Sequence, residues 1–228
     1  MNNKNSRISG LATNMKGFFE GLEDDFPANG VARQRITALA ALVVKIDELS
    51  SKQAQEKGAA KAATERKNAS GDEIKRRMKE IRSTAVSVET VQPGISHHFN
   101  LPASQSEESW LEAARAFVAT GTTFKQLFLS RAMPDDFLEG LTAAVENFES
   151  AVDAYNLHAR NASAMTAMLE DACAQVLVIR RELDPIARNT YRNDPEKFTQ
   201  WETASHLEKP AKRAASRKSN GTPSNPQT

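Results

Sequence analysis

The chain has 228 residues, a formal net charge of +1 and a single cysteine. This length provides for one domain with a sizeable core, one cysteine excludes an internal disulfide, and the charge argues against a protein covered in nucleic acid. The N-terminus lacks the apolar run of a secretory signal, and no stretch approaches the roughly 18 uncharged apolar residues of a membrane span. We therefore expect a soluble, cytoplasmic protein.

Residues 1–27 form the first predicted element, an amphipathic helix. Apolar residues recur there in steps of three and four, which places them on one helical face. They are Ile8, Leu11, Met15, Phe18, Leu22 and Phe26. Three glycines weaken this helix by about 1 kcal/mol each relative to alanine, so we expect it to need a partner surface.

The next predicted helix runs from about Val31 to Lys67. Its first part has apolar residues at heptad-like spacing, whereas beyond Ser50 it consists of Ala, Lys, Glu and Gln, which favour helix but offer little to bury. We expect that far end to project or to pack loosely. Residues 68–71, Asn-Ala-Ser-Gly, then predict a short turn, which would make the following helix, over 74–91, antiparallel to the first.

Residues 92–105 predict an irregular crossover, because they contain two prolines and a Pro-Gly pair. Ser106 predicts the start of a further helix, which Pro134 ends. Within that helix, the poor helix formers at 120–123 favour a bend or break.

The strongest periodic signal runs from Phe137 to Tyr191. Its apolar side chains line one helical face and predict a helix well over about 60 Å long. They include Leu141, Val145, Phe148, Val152, Tyr155, Ala162, Met165, Leu169, Cys173, Val176, Ile179, Leu183 and Ile186. The sequence leaves open whether a turn interrupts this helix at 158–161, and Pro185 predicts a kink or a restart of the helix.

The chain ends in a short predicted helix and a basic tail. Asp194 and Pro195 are typical of an N-cap and a first helical position. From residue 209 onward, the composition predicts disorder. The tail carries five cations, so the rest of the chain has a net charge of −4, which is +1 less five. These cations are the candidate contacts for an acidic partner: Lys209, Lys212, Arg213, Arg217 and Lys218.

Together these segments predict an all-α protein. The expected architecture is an elongated antiparallel bundle of four main helices, one of them very long, with short terminal helices. Its predicted organisation is an amphipathic helix over 1–27, one helical bundle domain over 31–208 and a disordered basic tail over 209–228.

Two short segments carry a resemblance. Residues 131–138 read RAMPDDFL and residues 201–208 read WETASHLE. In these segments the chain resembles a group of uncharacterised bacterial proteins of acidobacterial type. The resemblance implies a bacterial all-helical protein, and it implies no catalytic or binding residue.

Residues that could support metal binding or catalysis do not converge. Glu202 and His206 are four residues apart on a predicted helix but lack further ligands. Asp153 and His158 lie about 140° apart around a helix, so they do not face each other. Phosphate loops, nucleophile elbows and zinc-protease motifs do not occur. We predict no catalytic residue, no metal and no cofactor, and the adjacent histidines at 97–98 do not change this expectation.

Three other features favour structural roles. The basic residues between 75 and 82 are diluted by acidic residues and predict a solvated face. Trp110 and Trp201 are predicted to anchor helix ends, since no basic groove accompanies either of them. Cys173 lies on the long apolar stripe and is predicted to be a small buried hydrophobe.

These observations support three hypotheses about function. The first is a non-enzymatic module that forms a homo-oligomer or binds another helical protein, because the long stripe exceeds what the shorter helices can cover. The second is a bundle that binds a small ligand, or an enzyme, with an interior pocket. The residues that would line this pocket are Phe128, Phe148, Trp110, Met165 and Met168. The third is a nucleic-acid-associated protein that uses its basic tail.

Truncation tests the predicted tail. We expect deletion of residues 209–228 to leave the melting temperature and the oligomeric state unchanged, because the tail offers only alanines and prolines for packing. The full-length and the truncated protein are compared for binding to duplex DNA and to anionic vesicles at low and moderate salt. Salt-sensitive binding that disappears with the tail would assign it an electrostatic role, whereas equal binding would leave it a solubilising extension.

Overall fold

The protein is all-α, as predicted. The computed structural model describes residues 3–104 and 106–208, and within them it contains no strand. The helices are α1 (Asn3–Phe19), α2 (Val31–Val88), α3 (Glu107–Leu129), α4 (Phe137–Thr190) and α5 (Pro195–Ala204), with 3-10 helices at Glu23–Asp25 and Ile95–Phe99. The predicted basic tail over 209–228 lies outside the described residues.

Two of these helices are very long, where the sequence predicted one. The predicted turn at 68–71 is wrong, because α2 continues through it for a total of 58 residues. The expected antiparallel connection at this point is therefore absent. Ala63 precedes the segment and Ile74 follows it, and both side chains are buried. Packing of both flanks outweighs the weak local preference for a turn.

The other expected interruptions are also continuous helix. α3 passes through 120–123, where Gly121 is buried against Leu138. α4 passes through 158–161, and it also passes through Pro185 without a restart. Arg188 spans that proline, because its Nε lies 3.1 Å from Asp184 Oδ2. Local contacts on both sides thus hold the helix where proline removes one backbone donor.

The chain divides into two compact units. The first, here called the terminal unit, takes Met1–Ile46 and Glu170–Thr228, of which 3–46 and 170–208 are described. The second, the central unit, is Asp47–Leu169. Each unit therefore contains one part of α2 and one part of α4. The single bundle domain predicted over 31–208 stays a prediction.

Aromatic packing forms the core of the terminal unit. Trp201, in α5, is fully buried and lies with its ring centroid 5.3 Å from that of Phe19 in α1. Its indole Nε1 donates to Asp184 Oδ1 at 3.0 Å. Asp194 caps α5 by accepting from the backbone N–H of Lys197, and Pro195 follows it, as the sequence predicts. Trp201 is thus an anchor of a helix end.

Asp25 connects three segments of the terminal unit. Its Oδ2 accepts from the hydroxyl of Tyr191 at 3.0 Å and from Lys197 Nζ at 2.8 Å. These contacts, with that of Lys197 first, hold the pKa of Asp25 below its ordinary value. Burial, followed by the contact with Asp25, raises the pKa of Tyr191. The charged carboxylate and the neutral phenol are therefore the forms that the folded state favours.

The central unit has an apolar core built from α2, the 3-10 helix Ile95–Phe99, α3 and α4. Its largest fully buried side chains include Phe99, Phe117, Phe128, Ile74, Met78 and Ile81. Gln53 donates to Thr166 at 2.7 Å, whereas Gly71, later in α2, lies against Phe148, earlier in α4. This inverse order shows that α2 and α4 are antiparallel within this unit.

Part of the central unit has a much thinner core, and we call it the thin segment. It comprises residues 50–67 of α2 and 151–168 of α4. Its buried side chains are small or polar: Gln53, Ala63, Ala151 and Ala162. The sequence expectation of loose packing beyond Ser50 agrees with this composition.

α4 has an unusually apolar stretch. An 18-residue window within it has a mean hydropathy of 1.3, which by length and composition is enough to cross a membrane, and 33% of the window is buried. The window contains at most two charged residues, whereas the expectation that no segment spans a membrane rested on the absence of an uncharged apolar run. Core helices of water-soluble proteins reach the same length and hydropathy.

The contact at Gly121 generates a prediction about stability. A Cβ atom at this position would lie 2.5 Å from Leu138 Cδ2, in the buried core. Gly121→Ala should therefore lower the free energy of unfolding by about 1 kcal/mol or more through overpacking. Gly58→Ala is the matched control, because that helical glycine has nothing within 4 Å and should gain about 0.5–1 kcal/mol. Urea denaturation measures the free energy of unfolding of both variants, and an equal gain in stability for both would contradict the packing of Gly121 against Leu138.

The contacts of Asp25 predict a dependence of stability on pH. Because its folded pKa is depressed, its carboxylate stabilises the fold above the unfolded pKa, and this contribution is lost as pH falls through the folded pKa. Asp25→Asn should lower the melting temperature at neutral pH and reduce its further fall on acidification. Asp24→Asn is the control, since that side chain is fully exposed and its ion pair with Arg33 is screened by water. Parallel pH profiles for Asp25→Asn and the wild type would refute the assignment.

Candidate functional site

The central unit contains a cavity of about 290 Å³ between α2, α3 and α4. One part of its wall is apolar and consists of Ile74, Trp110, Leu111 and Phe148. The other part is polar and consists of Lys67, Asn68, Gly71, Asp72, Lys75 and Glu107. An apolar wall with a few converging polar groups is the usual composition of a small-molecule site.

The start of α3 positions two of these residues. Ser106 caps the helix by accepting a hydrogen bond from the backbone N–H of Ser109, and Glu107 lies in the first turn, where a carboxylate is favoured by the helix dipole. Glu107 Oε1 accepts from Lys67 Nζ of α2 at 2.7 Å. This ion pair connects α2 and α3 beside the cavity, and the cap fixes where Trp110 enters the core.

Trp110 is the most unusual side chain of the cavity. It is only 8% exposed, and its buried indole Nε1 has no hydrogen-bond partner within the described residues. A buried donor without an acceptor costs free energy, and tryptophan N–H groups usually find a partner when they are buried. The sequence predicted Trp110 as an anchor of a helix end, and its position near the start of α3 agrees with that. Its unpaired donor was not foreseen.

Lys75 lies over the face of Trp110. Its Nζ is 5.7 Å from the ring centroid, a distance at which a cation is attracted to the aromatic face. Among the described residues Lys75 forms no ion pair, unlike Lys67. The lining of the cavity therefore includes an ammonium group without an ion-pair partner in the described part of the chain, whereas the indole N–H of Trp110 is closed off from water.

The segment wrongly predicted as a turn lies at this cavity. Asn68 and Gly71 both line it, and both disfavour a helix interior. A Cβ atom at Gly71 would lie 3.4 Å from Phe148 Cε2, so a larger side chain would enter the space between the helices. Helix-disfavouring residues inside a strongly helical stretch were the available sequence signal for this site, although the same residues also predict a short turn.

The structure places the residues named for the predicted interior pocket in different surroundings. Of the five residues named for it, Trp110 and Phe148 line the same cavity. Phe128 is fully buried in the core, while Met165 is half-buried and Met168 is 44% exposed, so these three do not line it. The polar lining residues Lys67, Asn68 and Glu107 were not among the residues predicted for the pocket.

The other polar candidates do not form sites. Among residues 3–104 and 106–208, no group of three His, Cys, Asp or Glu residues could hold a metal. Glu202 accepts from Arg188, and His158 Nδ1 lies 2.7 Å from Glu56 Oε2 rather than facing Asp153. His97 and His98 are exposed in a 3-10 helix, and His206 is also exposed.

Some of the basic residues between 75 and 82, and also Cys173, have structural contacts. Arg76 and Arg77 both pair with Glu73, and Arg82 donates to Asn100 and to the Phe99 carbonyl. Cys173 is buried in the terminal unit, and burial raises the pKa of its thiol, as expected of a packing residue. The tail residues Lys209, Lys212, Arg213, Arg217 and Lys218 lie outside the described residues.

Comparisons of the chain with protein-family models, with curated proteins and with solved structures found no match. The geometry of the chain itself therefore carries the functional argument, and the resemblance to bacterial helical proteins stays a prediction.

Proposed function

We propose that the protein is a non-enzymatic helical module that associates with a second copy of itself in the cytoplasm. The observation that carries this proposal is a set of exposed large apolar side chains on α4, two of them beside the thin core of the central unit. Large exposed apolar side chains along this helix are Tyr155, Leu157, Met168 and Val178. Apolar surface of this kind is typical of an association surface.

Two of these residues define a common face in the thin segment. Leu157 is 49% exposed and Met168 is 44% exposed, and they are eleven residues apart, close to three helical turns. Ala164 lies between them on the same face and is also exposed. The small side chain at this position would let another helix approach closely, with Leu157 and Met168 packed on either side of it.

A second copy supplies the complement that this face needs. In a two-fold symmetric pair the same patch meets itself, so Leu157 and Met168 of each chain would be covered by apolar residues of the other. The thin segment has the most to gain from such a partner, because its own buried side chains are alanines and one glutamine. Burial of leucine and methionine contributes about 1.5–3 kcal/mol per side chain when it is complete.

Size-exclusion chromatography with light scattering tests this proposal. We expect the wild type to be a dimer or higher oligomer, and Leu157→Glu combined with Met168→Glu to raise the dissociation constant at least about a hundredfold, because each change buries an unpaired carboxylate. The matched control is Val86→Glu combined with Val91→Glu, two valines that are 54% and 59% exposed outside α4.

The outcomes separate association from misfolding. Circular dichroism should show both double variants fully helical, since none of the four side chains is buried. A wild type that is monomeric at every concentration would overturn the proposal. Equal dissociation of both double variants would show that the α4 face is not the interface.

A further inference from the structure

We propose that the cavity at Trp110 binds a small carboxylate with a flat apolar body. This inference is independent of self-association, because every residue that lines the cavity belongs to one copy of the central unit. The volume, about 290 Å³, lies near the lower limit of small-molecule sites, which span about 300–1,000 Å³. A ligand built on a single aromatic ring is of suitable size.

Lys75 indicates the polar part of the ligand. Its ammonium group belongs to the lining of the cavity and has no ion-pair partner among the described residues. An ammonium group has three N–H donors and no acceptor. A ligand carboxylate would therefore accept a charge-assisted hydrogen bond from Lys75.

The acidic residues of the cavity are compatible with an anion. Glu107 is neutralised by Lys67, whose Nζ lies 2.7 Å from its Oε1. Asp72 is exposed, where water and salt screen its charge. Lys75 therefore remains as the unpaired cation beside the apolar wall. A cationic ligand would have only the exposed carboxylate of Asp72 to pair with, and it would lie near the positive charge of Lys75.

The apolar wall and Gly71 indicate the body of the ligand. Phe148 and Ile74 are 5% and 2% exposed, so they form a rigid surface. A Cβ atom at Gly71 would already contact Phe148 at 3.4 Å, so the glycine keeps this edge of the cavity free of a side chain, at a cost of about 1 kcal/mol to the helix relative to alanine. A flat ring would pack against the aromatic wall of Trp110 and Phe148 more favourably than a branched aliphatic group, because aromatic rings pack in offset or edge-to-face pairs.

Calorimetric titration of the full-length protein tests the ligand class. The probes are phenylacetate, phenethylamine and phenethyl alcohol, which share a ring and differ in the polar group. We expect saturable binding of phenylacetate that is at least about tenfold tighter than that of the other two, the ratio that one charge-assisted hydrogen bond supplies. Absence of saturation by about 10 mM phenylacetate, or equal binding of phenethylamine, would overturn the proposal.

Variants locate the binding. Lys75→Met keeps the apolar stem and removes the cation, and it should weaken phenylacetate binding about tenfold, whereas Lys79→Met on the exposed surface should have no effect. Gly71→Leu should fill the cavity and abolish binding, whereas Gly58→Leu, at an open position of the same helix, should not. Unchanged affinity in Lys75→Met would refute the assignment even if Gly71→Leu failed to fold.

Fluorescence provides an independent measurement. The chain has two tryptophans, and Trp201 belongs to the terminal unit. In a Trp201→Phe variant, Trp110 is the remaining reporter, and phenylacetate should change its emission along the calorimetric binding curve. In a Trp110→Phe variant this change should disappear. A signal that follows Trp201 instead would place binding outside the cavity and overturn the proposal.

Discussion

A helix with an apolar stripe is stable in water only where other elements cover that stripe, because the backbone hydrogen bonds alone barely offset the entropy of ordering. This constraint acts on α2 and α4, which are 58 and 54 residues long. In the terminal unit, α1 and α5 add aromatic side chains, and in the central unit α3 adds Phe117 and Phe128. The thin segment buries mainly alanines, and there the constraint is satisfied least.

The same constraint accounts for both proposals. Where the core is thin, Leu157 and Met168 stay exposed on α4, and a second copy of the chain would cover them. Where α3 joins α2 and α4, the helices leave a cavity that is partly open to solvent, with Trp110 and Phe148 on one side and exposed Asp72 on the other. The first feature is an outer face of α4 and the second is a cavity between three helices, so their tests are independent.

The candidate site was only partly visible in the sequence. The apolar residues Trp110 and Phe148 could be named, since each lies on a helical face with core-forming neighbours. Lys75 was interpreted as part of a solvated basic face, because its position over the Trp110 ring depends on how α2 packs against α3. The missing acceptor of Trp110 could not be predicted at all, because satisfaction of a buried donor depends on every atom around it.

The sequence by itself determined the helical class, the buried faces and the caps at Ser106 and Asp194, because these depend on residues within one or two turns of each other. Only the tertiary structure decided that residues 68–71 and Pro185 stay helical, and that Asp25 meets Tyr191 and Lys197. These outcomes arise from contacts between residues far apart in the chain, or from packing on both flanks of a weak segment. The free energy of these contacts exceeds the local helix propensities, which differ by at most about 1 kcal/mol per residue for residues other than proline.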